Sequence, residues 1–274
     1  MLKIGRVNSL SVLRETVAGV YLDGGEQGEI LLPNVRQSEL GDKAEVFVYP
    51  SADKTLVATQ KKPLVQVGGV AWLKVSEVNQ VGAFLDWGLD KELLLPYAEQ
   101  KYEPQKGLRV MVRAYLDNSQ RIAASTRLER FLQHEAEGYK PGQKVDLLVA
   151  DKTELGFKTI VDNQYWGMLF HNDLATPLNK GQRLDAYVKR VREDRRLDLT
   201  LVPPAVELVP QLTEKIIEQL KQHDGYMMLT DKSSPDAIYS IFKVSKKVYK
   251  KAIGALYKQR RIAIEEKGIR LLDN

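Results

Sequence analysis

The stretch VGAFLDWGLDKELLLP (81–96) has a near copy earlier in the chain, AGVYLDGGEQGEILLP (18–33), so that position 81 answers to position 18, 63 residues before it. The spacing holds without a gap from residue 4 to residue 33. It sets IGRV (4–7) against VGGV (67–70), VYLD (20–23) against AFLD (83–86), and GEILLP (28–33) against KELLLP (91–96). Each copy continues into a Gly-x-basic turn and an alternating strand, GDKAEVFVY from Gly41 and GLRVMVRAY from Gly107. A third such strand, GQRLDAYVK, starts at Gly181. A last strand follows in each unit: TLVAT (55–59), RIAAS (121–125) and RLDLTL (196–201). The third unit opens near GQKVDLLVA (142–150) and includes LGFKTIVD (155–162) and WGMLFH (166–171), which match the earlier phrases only loosely.

Period-two alternation broken by Gly, Pro, Asn and Asp turns reads as about five short strands per unit. Strands that short bury one face and hide their edges by closing into a small barrel. Within AFLDW, alternation puts Ala83, Leu85 and Trp87 on one side and Phe84 and Asp86 on the other. Val20 and Leu22 oppose Tyr21 and Asp23 in the same way. Small aliphatic residues fit a narrow interior, so Tyr21 and Phe84 are expected to point outward, where an aromatic ring can stack on a nucleobase. Trp87 and Trp166, at strand ends, are expected to pack at the barrel rims.

Lys61-Lys62-Pro63 separates the first unit from the second. RLERFLQHEAEG (127–138) carries Leu128, Phe131, Leu132 and Ala136 at helical spacing and predicts a connecting helix before the third unit. Pro203, Pro204 and Pro210 mark the passage into a C-terminal module. The expected units are therefore 1–63, 64–138, 139–204 and 205–274.

The chain has 43% hydrophobic and 28% charged residues and no cysteine, which excludes disulfides, thiolate metal sites and a cysteine nucleophile. No apolar run is long enough to span a bilayer, and MLKIGRV lacks a signal-peptide segment, so a cytoplasmic protein with no membrane partner is expected. The net charge of +5 is unevenly placed. Residues 208–274 hold 13 Lys and Arg against 8 Asp and Glu, whereas the 28 and 28 before them cancel. A basic module attached to a neutral body points to a polyanionic partner.

In that module LTEKIIEQLKQ (212–222) predicts a helix with Thr213 as its cap, PDAIYSIF (235–242) a second with Pro235 in its first turn, and SKKVYKKAIGALYKQ (245–259) a third. IAIEEKGIRLL (262–272) reads as a hairpin, completing the order of a winged helix. On the third helix Lys246, Lys247, Lys250, Lys251 and Lys258 fall within an arc of about 140°, opposite Val248, Tyr249, Ala252, Ile253, Ala255 and Leu256. Lys243, Arg260 and Arg261 extend the patch, and no acidic residue interrupts 237–264. Lysines of this kind hold phosphates without reading sequence. KRVREDRR (189–196) places Lys189, Arg190, Arg192, Arg195 and Arg196 on the last hairpin of the third unit, with Glu193 and Asp194 at its turn.

A glycine, an aromatic one or two residues on, Leu or Val before Asp, a loop, then apolar residues before Pro or His resembles the ribosomal S1 RNA-binding motif, an OB-fold barrel. Three such units before a basic helical module resemble the conserved virulence factor B family of bacterial RNA-binding proteins, over nearly the whole chain. The resemblance implies a multidomain, mainly β protein: three tandem OB-fold barrels followed by an α+β winged helix. It also implies contacts to single-stranded RNA from Tyr21, Phe84 and Phe157 on the barrel strands, then from Tyr97, Phe170 and His171 after the third strands.

Little supports an enzyme. His134, His171 and His223 show no metal-ligand spacing, and no GxxxxGK loop is present. Neither a catalytic centre, a metal nor a cofactor is expected. The expectation is a non-catalytic RNA-binding protein that regulates expression after transcription, with the first two barrels as spacers or protein-binding units. Two alternatives stay open: a DNA-binding transcriptional regulator led by the winged helix, and a protein-binding scaffold.

Overall fold

The computed structural model describes residues 1–272 other than Ala52 and Ala175, and only the backbone of 205–207. The first barrel comprises β1 (Val7–Thr16), β2 (Gly19–Asp23), β3 (Glu29–Pro33), β4 (Lys43–Pro50) and β5 (Leu56–Thr59), closed in the order β1-β2-β3-β5-β4. The same order closes β6 (Val70–Asn79), β7 (Gly82–Asp86), β8 (Leu93–Pro96), β9 (Arg109–Leu116) and β10 (Ile122–Ser125). It recurs in β11 (Lys144–Lys152), β12 (Gly156–Val161), β13 (Tyr165–Phe170), β14 (Arg183–Val191) and β15 (Leu197–Thr200). In each barrel the third and fifth strands pair in parallel, through Leu31 and Val57, Leu94 and Ala123, and Met168 and Asp198. Each first strand carries a bulge at one equivalent place, between Val12 and Arg14, Val75 and Glu77, and Val149 and Asp151. A bulge there bends and twists a long strand so that it can serve both sides of a five-stranded barrel.

The opening glycine of the repeated phrase has a steric reason. Gly19 and Gly82 begin β2 and β7 at φ 140° and 147°, where a Cβ would run into the carbonyl oxygens of Leu32 and Leu95. Beyond each glycine, alternation sorts the residues. Val20, Leu22, Ile30 and Leu32 fill the first barrel, and Ala83, Leu85, Leu93 and Leu95 the second. The third barrel keeps the plan and changes the pieces. Registers Leu22–Ile30, Leu85–Leu93 and Thr159–Gly167 are equivalent, so two large residues are replaced by a threonine and a glycine. On the fifth strand Leu199 stands where the first two barrels have Ala58 and Ala124, and it fills the space that a Cβ on Gly167 would need. Interior volume is thus conserved by exchange among three strands.

The barrels pack on one another. Phe47 of the first joins the core of the second, its ring edge-on to Trp87 at 5.6 Å. Val70, Met111, Leu128 and Leu132 meet Leu148, Ala150, Ile160 and Trp166 between the second and third. Trp87 and Trp166 are therefore buried between barrels rather than at open rims.

The expected helix over 127–138 does not form. Only Leu128–Arg130 makes a single 3-10 turn. Leu128 and Leu132 bury themselves between barrels, Gln133 bridges to Tyr165, and the Ala136 amide donates to the Arg195 carbonyl. Tertiary partners for the backbone thus replace the intrahelical ones that the spacing suggested.

The C-terminal module contains α1 (Ala205–Gln222), β16 (Tyr226–Met227), α2 (Pro235–Phe242), α3 (Lys246–Lys258), β17 (Ile262–Ile264) and β18 (Ile269–Leu271), the strands forming a sheet in the order β16-β18-β17. It is a winged helix with its own core around Ile216, Leu220, Ile238, Tyr249, Ile253 and Ile269. Pro210 lies inside α1 rather than before it, and Thr213 is not its cap. The Thr213 hydroxyl donates to the Pro210 carbonyl at 2.6 Å, and Leu208 and Val209 extend the apolar face on to the core. Continued burial outweighs the hydrogen bond that proline cannot make. At α2 the expected start holds: Pro235 follows Ser234, whose side chain accepts from the Ala237 amide.

Candidate nucleic-acid interface

The outward position of the second strand differs among barrels. Tyr21 is half-buried on β2 with the Arg14 guanidinium 4.1 Å from its ring centroid, and Arg14 also pairs with Glu29 at 2.6 Å. Phe84 is half-buried on β7 in a groove of about 630 Å³ that also includes Tyr49, Lys54, Lys91 and Arg121. Beyond the third strands, Tyr97 is 52% exposed and its hydroxyl donates to the Asn79 carbonyl at 2.6 Å. Phe170 is half-buried, 5.8 Å from the Arg192 guanidinium. His171 is exposed, with Nε2 at 3.2 Å from the Thr153 carbonyl and its ring edge-on to Phe157.

Phe157 itself is no stacking platform. It is 3% exposed and belongs to the core of the third barrel. Gly156 opposes Phe170 as Gly82 opposes Pro96, so Phe157 answers to the interior Ala83, and Lys158 answers to Phe84. Lys158 lies 3.7 Å from the Trp166 ring centroid, and burial pulls its ammonium below the ordinary lysine value. The third barrel therefore presents a cation where the first two present aromatic rings.

The basic hairpin of that barrel is largely self-neutralised. Lys189 pairs with Asp173 at 2.7 Å, and Arg190 and Arg192 both hold Asp198, whose carboxylate is 4% exposed. Arg195 pairs with Glu135 and Glu137, and Arg196 with Asp194. Glu193 and Asp194 form the turn. Five cations facing five carboxylates leave little net field for a distant anion.

The winged helix is different. Val248, Tyr249, Ala252, Ile253 and Leu256 dock α3 on its core, which turns the lysines outward. Lys246 donates to the Lys232 carbonyl and Lys250 lies 3.4 Å from Asp231, while Lys243 lies 5.4 Å from the Tyr239 ring centroid. Arg261 pairs with Glu214 at 2.9 Å and holds that carboxyl below the usual range. Arg260 sits just past α3 at φ 56°. Among the described residues no carboxylate pairs with Lys247, Lys251 or Lys258. Two exposed aromatics that the sequence reading passed over, Tyr239 on α2 and Tyr257 on α3, stand on the same two helices. Their signal was available: both fall outside the apolar stripe of their helix. Among the described residues no group of three or more acidic or histidine side chains could hold a metal ion, and no helix is long and apolar enough to cross a membrane.

Comparison with known proteins agrees with this architecture. Residues 4–61 and 67–127 match the S1 domain family, and residues 214–271 match the CvfB-like winged helix domain. Conserved virulence factor B of Staphylococcus epidermidis is 27% identical over 96% of this chain and 92% of its own length. The namesake of Staphylococcus saprophyticus is 28% identical over 98% and 94%. A solved multidomain protein with nucleic acid binding domains from Streptococcus pneumoniae aligns over 98% of both chains, at 26% identity and a TM-score of 0.38. S1 domains joined to a winged helix support a nucleic-acid-binding role. With these domains in this order, and relatives aligned along almost all of its length, the chain belongs to the conserved virulence factor B family.

Proposed function

We propose that the chain is a non-catalytic, cytoplasmic RNA-binding protein that regulates expression after transcription, with no cofactor. Single-stranded RNA lies along the lysine face of α3, and bases stack on exposed or half-buried rings, Phe84 above all. The reading is carried by one observation: Lys247, Lys251 and Lys258 stand outward without acidic partners, on a module that also exposes Tyr239 and Tyr257. Unpaired cations and exposed rings on one module suit unstacked bases and their phosphates. The paired cations of the 189–196 hairpin take a supporting part, because an incoming phosphate must first displace a carboxylate.

The test is fluorescence anisotropy of the full chain with a labelled single-stranded RNA and a labelled duplex DNA at two salt concentrations. RNA is expected to bind more tightly. Combining Lys247→Ala, Lys251→Ala and Lys258→Ala is expected to cut the salt slope by about 0.7 for each lost phosphate contact. Tighter binding of the duplex overturns the RNA assignment in favour of a DNA-binding regulator. Binding of neither leaves the barrels as protein-docking units.

A further inference from the structure

Where the three barrels meet, a cleft of about 670 Å³ is lined by residues of each, among them Arg6, Gly68, Arg113, Asn163 and Arg183. That volume suits a nucleotide-sized ligand. Arg6 is exposed, and its guanidinium lies against Gly68, where φ is 87° and a side chain would collide with it. Arg113, half-buried on β9, donates to the Asn163 carbonyl at 2.6 Å and stands 5.3 Å from the Phe131 ring centroid. Burial first, and the charge of Arg6 second, hold its guanidinium below the ordinary value.

The acids nearby are already engaged. Asp162, on the cleft wall, accepts from the Tyr139 hydroxyl at 2.7 Å and the Asp146 amide at 2.9 Å. Asp146 pairs with Arg183, which also donates to the Val70 carbonyl. Among the described residues neither Arg6 nor Arg113 has an ion-pair partner. Two guanidiniums that repel across a cleft are stabilised by an anion between them, and a phosphate accepts from both.

We propose that this cleft binds a phosphate group of a nucleotide, held between Arg6 and Arg113, either as a phosphodiester of bound single-stranded RNA or as a free nucleotide. The RNA form of the proposal rests on the function argued above; the free-nucleotide form does not. A phosphodiester here would draw RNA across all three barrels, well apart in the chain from α3.

The experiment uses the full chain, Arg6→Gln, Arg113→Gln and the combined α3 lysine variant. Anisotropy with single-stranded RNA at several salt concentrations is read beside thermal shifts with uridine monophosphate and inorganic phosphate. The Arg6 side chain makes no hydrogen bond among the described residues, and its backbone bonds to Lys3, Asn8 and Val48 do not depend on the side chain, so Arg6→Gln alone carries the test if Arg113→Gln fails to fold. Loss of about 0.7 from the RNA salt slope in Arg6→Gln supports the phosphodiester. An unchanged slope with a lost uridine monophosphate or phosphate shift supports the free ligand. If neither readout responds to Arg6→Gln while the α3 variant weakens RNA binding, the cleft is overturned and the RNA reading stands. If the wild-type chain binds neither RNA nor the small ligands, both fall.

Discussion

Thr159→Val is expected to stabilise the protein. Thr159 is fully buried inside the third barrel, and its hydroxyl has no hydrogen-bond partner among the described residues. The equivalent residues of the other barrels are Leu22 and Leu85, which bring no polar atom into the interior. An unsatisfied buried hydroxyl costs about 1–3 kcal/mol, and valine has the same branched shape without it. Part of the gain is lost if the new methyl crowds Gly167, so a rise of about 1–2 kcal/mol is expected. With a urea dependence of about 1–3 kcal/mol per molar, the midpoint of the transition moves up by roughly 0.3–2 M at unchanged slope. Urea unfolding of the full chain followed by circular dichroism reads this directly. Thr159→Leu provides the opposing control, since Leu199 already occupies the volume, and overpacking is expected to cost about 1–3 kcal/mol. A midpoint that stays still or falls for Thr159→Val refutes the reasoning.

Phe84→Ala and Phe157→Ala separate surface from core: the first should weaken RNA binding by about 1–3 kcal/mol in anisotropy with a small stability change, the second should cost about 3–5 kcal/mol in unfolding. Gly82→Ala forces a Cβ on to the Leu95 carbonyl at positive φ and should destabilise the second barrel by about 1–3 kcal/mol, read by thermal unfolding. Phe47→Ala removes the ring seated against Trp87; limited proteolysis should then release the first barrel at protease levels that leave the wild type intact.

The two closely similar phrases made the barrels legible, down to which of Ala83 and Phe84 faces inward, because alternation is a strong signal when both faces differ in chemistry. The third barrel was harder. LGFKTIVDNQYWGMLF (155–170) matches 81–96 without a gap, position for position, but Lys158, Thr159 and Gly167 break the apolar likeness, and so Phe157 is drawn one place away from its true partner. The connector over 127–138 shows helical spacing for a tertiary reason, since Leu128 and Leu132 serve an interface that no local pattern encodes. Pro210 reads as a break, yet core contacts on both sides carry α1 through it. The pairing of Arg190 and Arg192 with Asp198 depends on strand register, and the meeting of Arg6 with Arg113 depends on how separate barrels pack. Charge counts along the chain reveal neither.

The exchange of interior volume among Thr159, Gly167 and Leu199 bears on how the chain assembles without error. Tandem repeats with similar sequences are prone to trading strands with a neighbour while folding. The first and second barrels present matching interiors, with Ala58 and Ala124 opposite large residues, so a fifth strand traded between them meets no steric objection. Leu199 inserted into either would collide with Ile30 or Leu93, and an alanine strand in the third barrel would leave a hole beside Gly167. Divergence of the third core thus acts as a proofreading key: it confines any strand exchange to the first pair of barrels and keeps the barrel next to the winged helix true to its own strands.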